Sequence, residues 1–136
     1  MPAGEHRDAG EPSSRLVYKV LRREEVVRLV ADGSFAGSPD DLRDGFVHLS
    51  TADQVKGTLE RHFAAENGLF IVTLQASALG EALRWEPSRK GALFPHLYRA
   101  LAMGDVTTIA PVPDEREDWS LTTVIEAPDA SIGRGN

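Results

Sequence analysis

Apolar and polar residues alternate in short stretches along this chain, which predicts several strands and two helices near the front. Leu16 to Leu21 is rich in β-forming residues and predicts a strand. Arg22 to Asp32 has apolar residues at helical spacing and predicts a helix that ends at Gly33. The run from Leu69 to Leu74 is almost continuously apolar, which is typical of a strand buried on both faces, so we expect it at the centre of a sheet.

The rest of the chain adds short strands separated by loops. Residues 35–41 have the composition of a loop. Further strands are predicted at 83–86, 96–100 and 106–111, with an edge strand at 120–125. The predicted elements are mostly strands, with two helices in the N-terminal half, and this order indicates an α+β fold. The expected organisation is a disordered leader over residues 1–14, a single α+β domain over residues 15–113 and an acidic C-terminal tail over residues 114–136.

The stretch from Phe46 to Ser50 alternates like a strand and carries candidate chemistry. With a period of two residues, Phe46, His48 and Ser50 share one face. A histidine at the end of a strand is able to bond a ligand hydroxyl or to transfer protons near neutral pH, and serine adds a short donor and acceptor. The alternative is a core histidine bonded to backbone. The spacing of the carboxylates shows none that would orient a Ser–His nucleophile pair, so a hydrolase triad is not expected.

A helix is predicted directly after this strand, with its stop at Asn67-Gly68. Ser50 and Thr51 each precede by three residues a side chain able to complete a capping box, Asp53 and Gln54 respectively. Ser50 therefore has an alternative role as the helix cap. The amides and dipole at the helix start favour an anion beside His48. The apolar stripe that should anchor this helix is Val55, Leu59 and Phe63.

Composition and charge narrow the function classes. The chain has 136 residues and no cysteine, which excludes disulfides, thiolate nucleophiles and Cys-ligated metals. The formal charge is −6, with acidic ends around a neutral body, so an extended nucleic-acid surface is not expected. No metal site is predicted from the scattered histidines, and no Gly-rich phosphate loop is present. The first residues lack an apolar run, so we expect no membrane span and a cytoplasmic location.

A second candidate region lies between residues 84 and 99. It holds four cations against one acid, interleaved with aromatic residues, and such a mixture suits a phosphate and a stacked ring. The alternative is a solvated hairpin whose aromatics belong to the core. Glu86 has two interpretations, as an ion-pair partner of Arg84 or Arg89 or as a catalytic carboxylate. The ligand-binding residues expected here are Arg89, His96, Tyr98 and Arg99.

The chain resembles the bacterial family known as domain of unknown function 952 over roughly residues 16–112. The resemblance implies a small α+β domain with the split, curved antiparallel sheets of the ADP-ribosylation fold, which ADP-ribosyltransferases and RNA 2′-phosphotransferases share. The residues that carry it are Tyr18-Lys19-Val20, Gly45-Phe46-Val47-His48-Leu49-Ser50-Thr51, Gln54, Thr58, His62-Phe63, Leu83-Arg84-Trp85-Glu86, Arg89, Gly91 and Phe94-Pro95-His96-Leu97-Tyr98.

What the resemblance implies about function rests mainly on His48. His48-Leu49-Ser50 resembles the His-Leu-Ser of RNA 2′-phosphotransferases, in which the histidine contacts the NAD-derived ligand. In diphtheria-toxin-type transferases an aromatic residue and a catalytic glutamate follow, and Tyr98 and Glu86 match these by residue type. Arg89 and Arg99 are loose counterparts of the phosphotransferase arginines.

The expected ligand is therefore a small anionic, nucleotide-like molecule, with NAD as the expected cofactor. If the protein is an enzyme, it transfers an ADP-ribosyl or phosphoryl group, with His48 and Glu86 as its catalytic residues. The alternative is a non-catalytic ligand-binding or interaction module, and a cleft in which Glu86 points away from His48 favours this alternative.

Overall fold

A computed structural model describes residues 15–88 and 91–116. Within these ranges the helices are α1 (Arg23–Asp32), α2 (Pro39–Asp44), α3 (Ala52–His62) and α4 (Ala76–Leu79). The strands are β1 (Leu16–Arg22), β2 (Ser34–Phe35), β3 (Val47–His48), β4 (Leu69–Gln75), β5 (Leu83–Pro87), β6 (Leu93–Leu97), β7 (Leu101–Ala102) and β8 (Val106–Pro111). All strand pairs of the described residues are antiparallel, so the predicted α+β class is confirmed.

The strands form three sheets in the described chain, with orders β1-β4-β8, β2-β7 and β3-β6-β5. We call these the first, second and third sheets. β4 lies in the middle of the first sheet, as its apolar run predicts, because a strand with covered faces needs apolar residues at successive positions. The predicted strand at 96–100 instead begins at Leu93 and ends at Leu97, where it pairs with both β3 and β5.

The first and third sheets meet at one edge of β1. Tyr18 and Ser50 form an isolated antiparallel bridge, in which each backbone N–H donates to the carbonyl oxygen of the other residue at 2.8 Å. β1 is an edge strand of its own sheet, so this bridge connects it to the strand that carries His48. The junction therefore positions the side chains of the candidate functional site.

The core lies on both faces of β1. Side chains alternate along the strand, so Val17 and Leu21 face one way while Tyr18 and Val20 face the other. The first cluster joins α1 and the third sheet, and the second cluster joins α3 and β4. The buried members of the first cluster are Val17, Leu21, Leu29, Phe35, Val47, Leu49, Val72, Leu74, Ala76, Leu79, Leu97 and Leu101. Those of the second cluster are Tyr18, Val20, Val55, Leu59, Leu69, Ile71, Ala110 and Val112.

The prediction of a loop over residues 35–41 is wrong at two positions. Phe35 is buried in β2, and a helix begins at Pro39. Ser38 is the N-cap of α2, and its backbone N–H donates to the Asp41 carboxylate at 2.9 Å. Proline at the first helical position and a carboxylate three residues after the cap are a recognised helix start, so the local signal was present in the sequence.

The helix predicted after the central strand is present as α3, but it ends at His62, before the predicted stop at Asn67-Gly68. The structure also decides between its two caps. Thr51 is the N-cap of α3, and its N–H donates to the Gln54 side chain at 3.0 Å. The alternative role of Ser50 as the cap is wrong. Its hydroxyl instead contacts the hydroxyl of Thr58 at 2.9 Å, because Ser50 still belongs to the extended segment that bridges to Tyr18.

Other predictions fall partly outside the described residues. The leader over residues 1–14 and the edge strand at 120–125 lie there, as does most of the acidic tail. Among the described helices, none combines the length and the apolar composition needed to cross a membrane.

Candidate functional site

A cleft of about 930 Å³ lies beside the junction of the first and third sheets. Its walls come from β1, β3 and β6 and from helices α1, α2 and α3. Small-molecule sites typically measure roughly 300–1,000 Å³, so the cleft has the size of a ligand site. Of the predicted site residues, His48, Ser50 and His96 line it.

His48 is held between two carboxylates. Its Nδ1 lies 2.6 Å from Asp41 Oδ1, and its Nε2 lies 3.0 Å from Asp44 Oδ2. Its backbone N–H also donates to Asp41 Oδ1 at 3.0 Å. An imidazolium has an N–H on each nitrogen and satisfies both carboxylates at once. The core histidine bonded only to backbone, which was the alternative from sequence, is therefore wrong.

Asp41 is the buried centre of this arrangement, with 2% of its surface exposed. Besides His48, its carboxylate contacts Lys19 Nζ at 2.9 Å, and Lys19 Nζ donates in turn to the His48 carbonyl at 3.1 Å. Burial acts to raise the pKa of the Asp41 carboxyl, but the hydrogen bond from His48 and the charge of Lys19 outweigh it and hold that pKa well below its ordinary value. The buried charges are thus paired and hydrogen-bonded.

Gly37 provides the space that Asp41 needs. Its φ is +139°, and a Cβ at this position would meet the Cβ of Asp41 at 2.6 Å. Any side chain would push the carboxylate away from His48 or shift the backbone. The residue type at 37 therefore supports the geometry of the site.

His96 has a carboxylate of its own. Its Nδ1 lies 2.7 Å from Glu86 Oε1, and the Tyr98 hydroxyl donates to the same oxygen at 2.9 Å. The hydrogen bonds from His96 and Tyr98 lower the pKa of Glu86, and the bond to Glu86 raises the pKa of Tyr98. Of its two predicted ion-pair partners, Arg84 is not a hydrogen-bond partner of Glu86, and Arg89 lies outside the described residues. Glu86 orients His96 instead.

The register of the third sheet explains why these residues meet. His48 on β3 lies directly opposite His96 on β6, and His96 lies opposite Arg84 on β5. Directly opposite residues point to the same face of a sheet, and Glu86 is the diagonal neighbour of His96 on that face. Val47 and Leu97 of the same strands belong to the first core cluster instead.

Phe46 fills the space between the two histidines. Its ring stacks on His96 with centroids 4.0 Å apart and lies tilted against His48 at 4.5 Å. The predicted common face of Phe46 and His48 is therefore confirmed. This packing leaves only 5% of His96 exposed.

Some predicted ligand contacts do not lie in the cleft. Glu86 and Tyr98 stand behind His96, and Arg99 forms a two-point ion pair with Asp105 at 2.8 and 3.1 Å. Arg89 lies outside the described residues. α3 lines the cleft with Thr58, Arg61 and His62 from its later turns, so the expected contribution of its N-terminal amides is not seen.

Sequence reasoning missed Asp41, Lys19, Arg28 and Arg61 as site residues. Asp41 falls in the segment predicted as a loop, residues 35–41. The spacing of Ser38 and Asp41 is nevertheless that of a capping box, which would have indicated a structural role for Asp41. A lysine within the apolar strand β1 was a second signal, since a buried lysine needs a partner. Arg28 and Arg61 lie on the exposed sides of two helices and had no local signal.

The described residues define a class of protein: a small α+β domain whose sheet junction carries two histidines, each oriented by a carboxylate. Among these residues no group of three or more His, Asp and Glu side chains has the arrangement of a metal site. Histidines paired with carboxylates in this way can form hydrogen bonds and transfer protons.

Residues 20–109 match the family described as "Protein of unknown function (DUF952)", and the chain belongs to that family. The crystal structure of protein CC0527 from Caulobacter crescentus is 41% identical, with a TM-score of 0.73 over 79% of this chain and 94% of that one. Its solution NMR structure, also 41% identical, has a TM-score of 0.65 over 85% and 95% of the two chains. No curated protein matches this chain. The predicted family is confirmed.

Proposed function

We propose that this protein binds a nucleotide-like anionic ligand in the cleft, with NAD or an ADP-ribose derivative as the leading candidate. The observation that carries the proposal is one lining that combines His48, Ser50 and His96 with the guanidinium groups of Arg28 and Arg61. In the described part of the chain neither guanidinium belongs to an ion pair. Arginine pairs well with phosphate oxygens, so these two residues are the candidates for a diphosphate.

The choice of NAD is supported by the resemblance of His48-Leu49-Ser50 to the phosphotransferase motif. The separate antiparallel sheets, joined at Tyr18 and Ser50, also agree with the split sheets of an ADP-ribosylation-like fold. In this hypothesis His48 and Ser50 hold ribose hydroxyls while Arg28 and Arg61 hold the phosphates. Arg89 stays a predicted phosphate ligand from sequence alone. The reaction of this class is ADP-ribosyl or phosphoryl transfer.

A non-catalytic binding module is the second candidate, and one observation favours it. Glu86, the predicted catalytic carboxylate, does not line the cleft, because His96 and Tyr98 bind its carboxylate. It therefore lacks direct access to a ligand. If turnover occurs, another residue must touch the reacting atoms.

Thermal unfolding with NAD, ADP-ribose and coenzyme A tests the binding proposal. A ligand at one hundred times its Kd stabilises the folded state by about 2.7 kcal/mol, so NAD or ADP-ribose should raise the Tm by several degrees. Arg28→Gln and Arg61→Gln should each weaken binding by about tenfold to a hundredfold, because charge-assisted hydrogen bonds contribute roughly 1.5–3 kcal/mol.

Arg23→Gln is the matched control, since Arg23 is exposed on α1 and does not line the cleft. It should bind as the wild type does. If neither NAD nor ADP-ribose shifts the Tm, the nucleotide proposal is wrong. Equal shifts in the wild type and in both cleft variants would mean that the ligand binds elsewhere.

A further inference from the structure

The two histidines of the cleft form a cross-strand pair with unequal surroundings. Their ring centroids lie 5.7 Å apart, and Phe46 contacts both rings. Each ring presents Nδ1 to a carboxylate, His48 to Asp41 and His96 to Glu86. A carboxylate at Nδ1 fixes the ring orientation and places a proton on that nitrogen, which makes Nε2 the atom available to a ligand.

The second nitrogen distinguishes the two rings. His48 Nε2 already lies 3.0 Å from Asp44 Oδ2, so both ring nitrogens of His48 contact carboxylates. Among the described residues, His96 Nε2 has no hydrogen-bond partner. With Nδ1–H donated to Glu86, a neutral His96 keeps a lone pair on Nε2. Two titratable groups in different environments are the usual basis for separate donor and base roles.

The groups around His96 are suited to a base. Glu86 accepts from Nδ1 and stabilises the imidazolium that forms when Nε2 takes a proton. Tyr98 holds the same carboxylate oxygen, and Arg84 stacks over the Tyr98 ring at 4.5 Å. The titratable and charged groups next to His96 are thus Glu86 and Arg84 on β5, Tyr98 after β6 and His48 on β3.

We propose that His96 is a catalytic general base that activates a hydroxyl acceptor for ribosyl transfer from NAD, with Glu86 and Tyr98 as positioning residues. This inference rests on the proposed nucleotide-binding function. The acceptor O–H gives its proton to His96 Nε2 while its oxygen forms a bond to ribose C1′. The bond between C1′ and the pyridinium nitrogen breaks, its electron pair stays on that nitrogen, and neutral nicotinamide leaves. His48 is not the base, because both of its ring nitrogens contact carboxylates.

Nicotinamide release from NAD, with water as the acceptor, tests the proposal alongside NAD binding. His96→Ala should bind NAD within about threefold of the wild type and lose about 100-fold or more in release rate, as expected for a lost general base. Added imidazole should restore part of the rate in this variant.

Glu86→Gln is a second variant, at a half-buried side chain. It should slow nicotinamide release about tenfold and alter the pH profile of that release, while NAD binding is kept. Glu81→Gln, an exposed carboxylate outside the cleft, is the matched control and should behave as the wild type. If NAD binds but no nicotinamide is released, or if His96→Ala retains the full rate, His96 is not the base and the binding proposal still stands. If NAD does not bind, the base proposal fails, and the binding proposal fails with it only if ADP-ribose does not bind either.

Discussion

At the scale of the residue, Asp41 joins a strand, a helix and a histidine through one buried carboxylate. Its oxygens receive hydrogen bonds from Lys19 and His48 and from the Ser38 backbone. Lys19 in turn binds the His48 carbonyl, so the backbone and the ring of His48 are both held. Removing one partner from such a group leaves the other buried charge without compensation.

Asp41→Asn should therefore lower the free energy of unfolding by roughly 3–5 kcal/mol at neutral pH, measured by urea denaturation. Asp40→Asn is the matched control, because Asp40 is an exposed neighbour in the same helix that pairs with Arg43 at the surface. That substitution should change stability by less than about 1 kcal/mol. Equal effects of the two substitutions would refute the central role of Asp41.

The difference in the free energy of unfolding between the wild type and Asp41→Asn should depend on pH. The pKa of Asp41 is lower in the folded state than in the unfolded state, so the unfolded chain binds the proton more readily. The stabilisation from Asp41 is complete above the ordinary carboxyl pKa of about 3.9 and is lost as the pH falls towards the folded-state pKa. The stability difference between wild type and Asp41→Asn should thus narrow from pH 6 to pH 3. A difference that stays constant would contradict this origin.

At the scale of the element, two glycines have opposite roles in the helices that flank the cleft. Gly33 ends α1 with a φ of +81°, a left-handed conformation in which its N–H donates to the Leu29 carbonyl at 2.9 Å. Gly57 lies inside α3, and a Cβ there would have no atom within 4 Å. The first position needs glycine for its backbone, whereas the second has ordinary helical backbone and open space.

Gly57→Ala should raise the free energy of unfolding by about 0.4–1 kcal/mol, because alanine restricts the unfolded chain and has the higher helix propensity. Gly33→Ala should lower it by about 1 kcal/mol or more, since a Cβ is disfavoured at positive φ. Chemical denaturation of the two variants side by side provides the comparison. Shifts of the same sign would show that backbone conformation does not decide these effects.

At the scale of the whole molecule, the two core clusters share β1 and should unfold together. Leu97 belongs to the cluster behind the third sheet, and Leu59 belongs to the cluster beneath α3. Both core clusters contain alternate side chains of β1, so neither cluster keeps its packing if β1 detaches from the sheet. The cleft lies beside that strand, and its geometry depends on both clusters.

Leu97→Ala and Leu59→Ala should each cost roughly 2–5 kcal/mol, as cavities in buried positions do. Fluorescence and circular dichroism transitions should coincide in both variants, as in a single cooperative unit. Val27→Ala is the control at a side chain that is 58% exposed on α1, and it should change stability by less than about 0.5 kcal/mol. Separate transitions in either core variant would show that the clusters unfold independently.

The sequence by itself determined the elements with a local cause. The apolar run of β4, the cap and stripe of α3 and the shared face of Phe46 and His48 all follow from spacing along the chain. The family was also recognisable from motifs. Each of these features depends on residues only a few positions apart, whose relative orientation is set by the periodicity of the helix or strand.

Only the tertiary structure decided how the site is assembled. The pairing of His48 with His96 depends on strand register across 48 residues of chain, and the bond from Glu86 to His96 depends on the next strand along. Lys19 reaches Asp41 only because the Tyr18–Ser50 bridge holds β1 beside the segment that follows β3. Such contacts follow from packing of distant segments, which local patterns do not specify. The sequence therefore predicted both histidines of the cleft as ligand-binding residues, and the fold brought them together and supplied the Asp41 and Asp44 carboxylates.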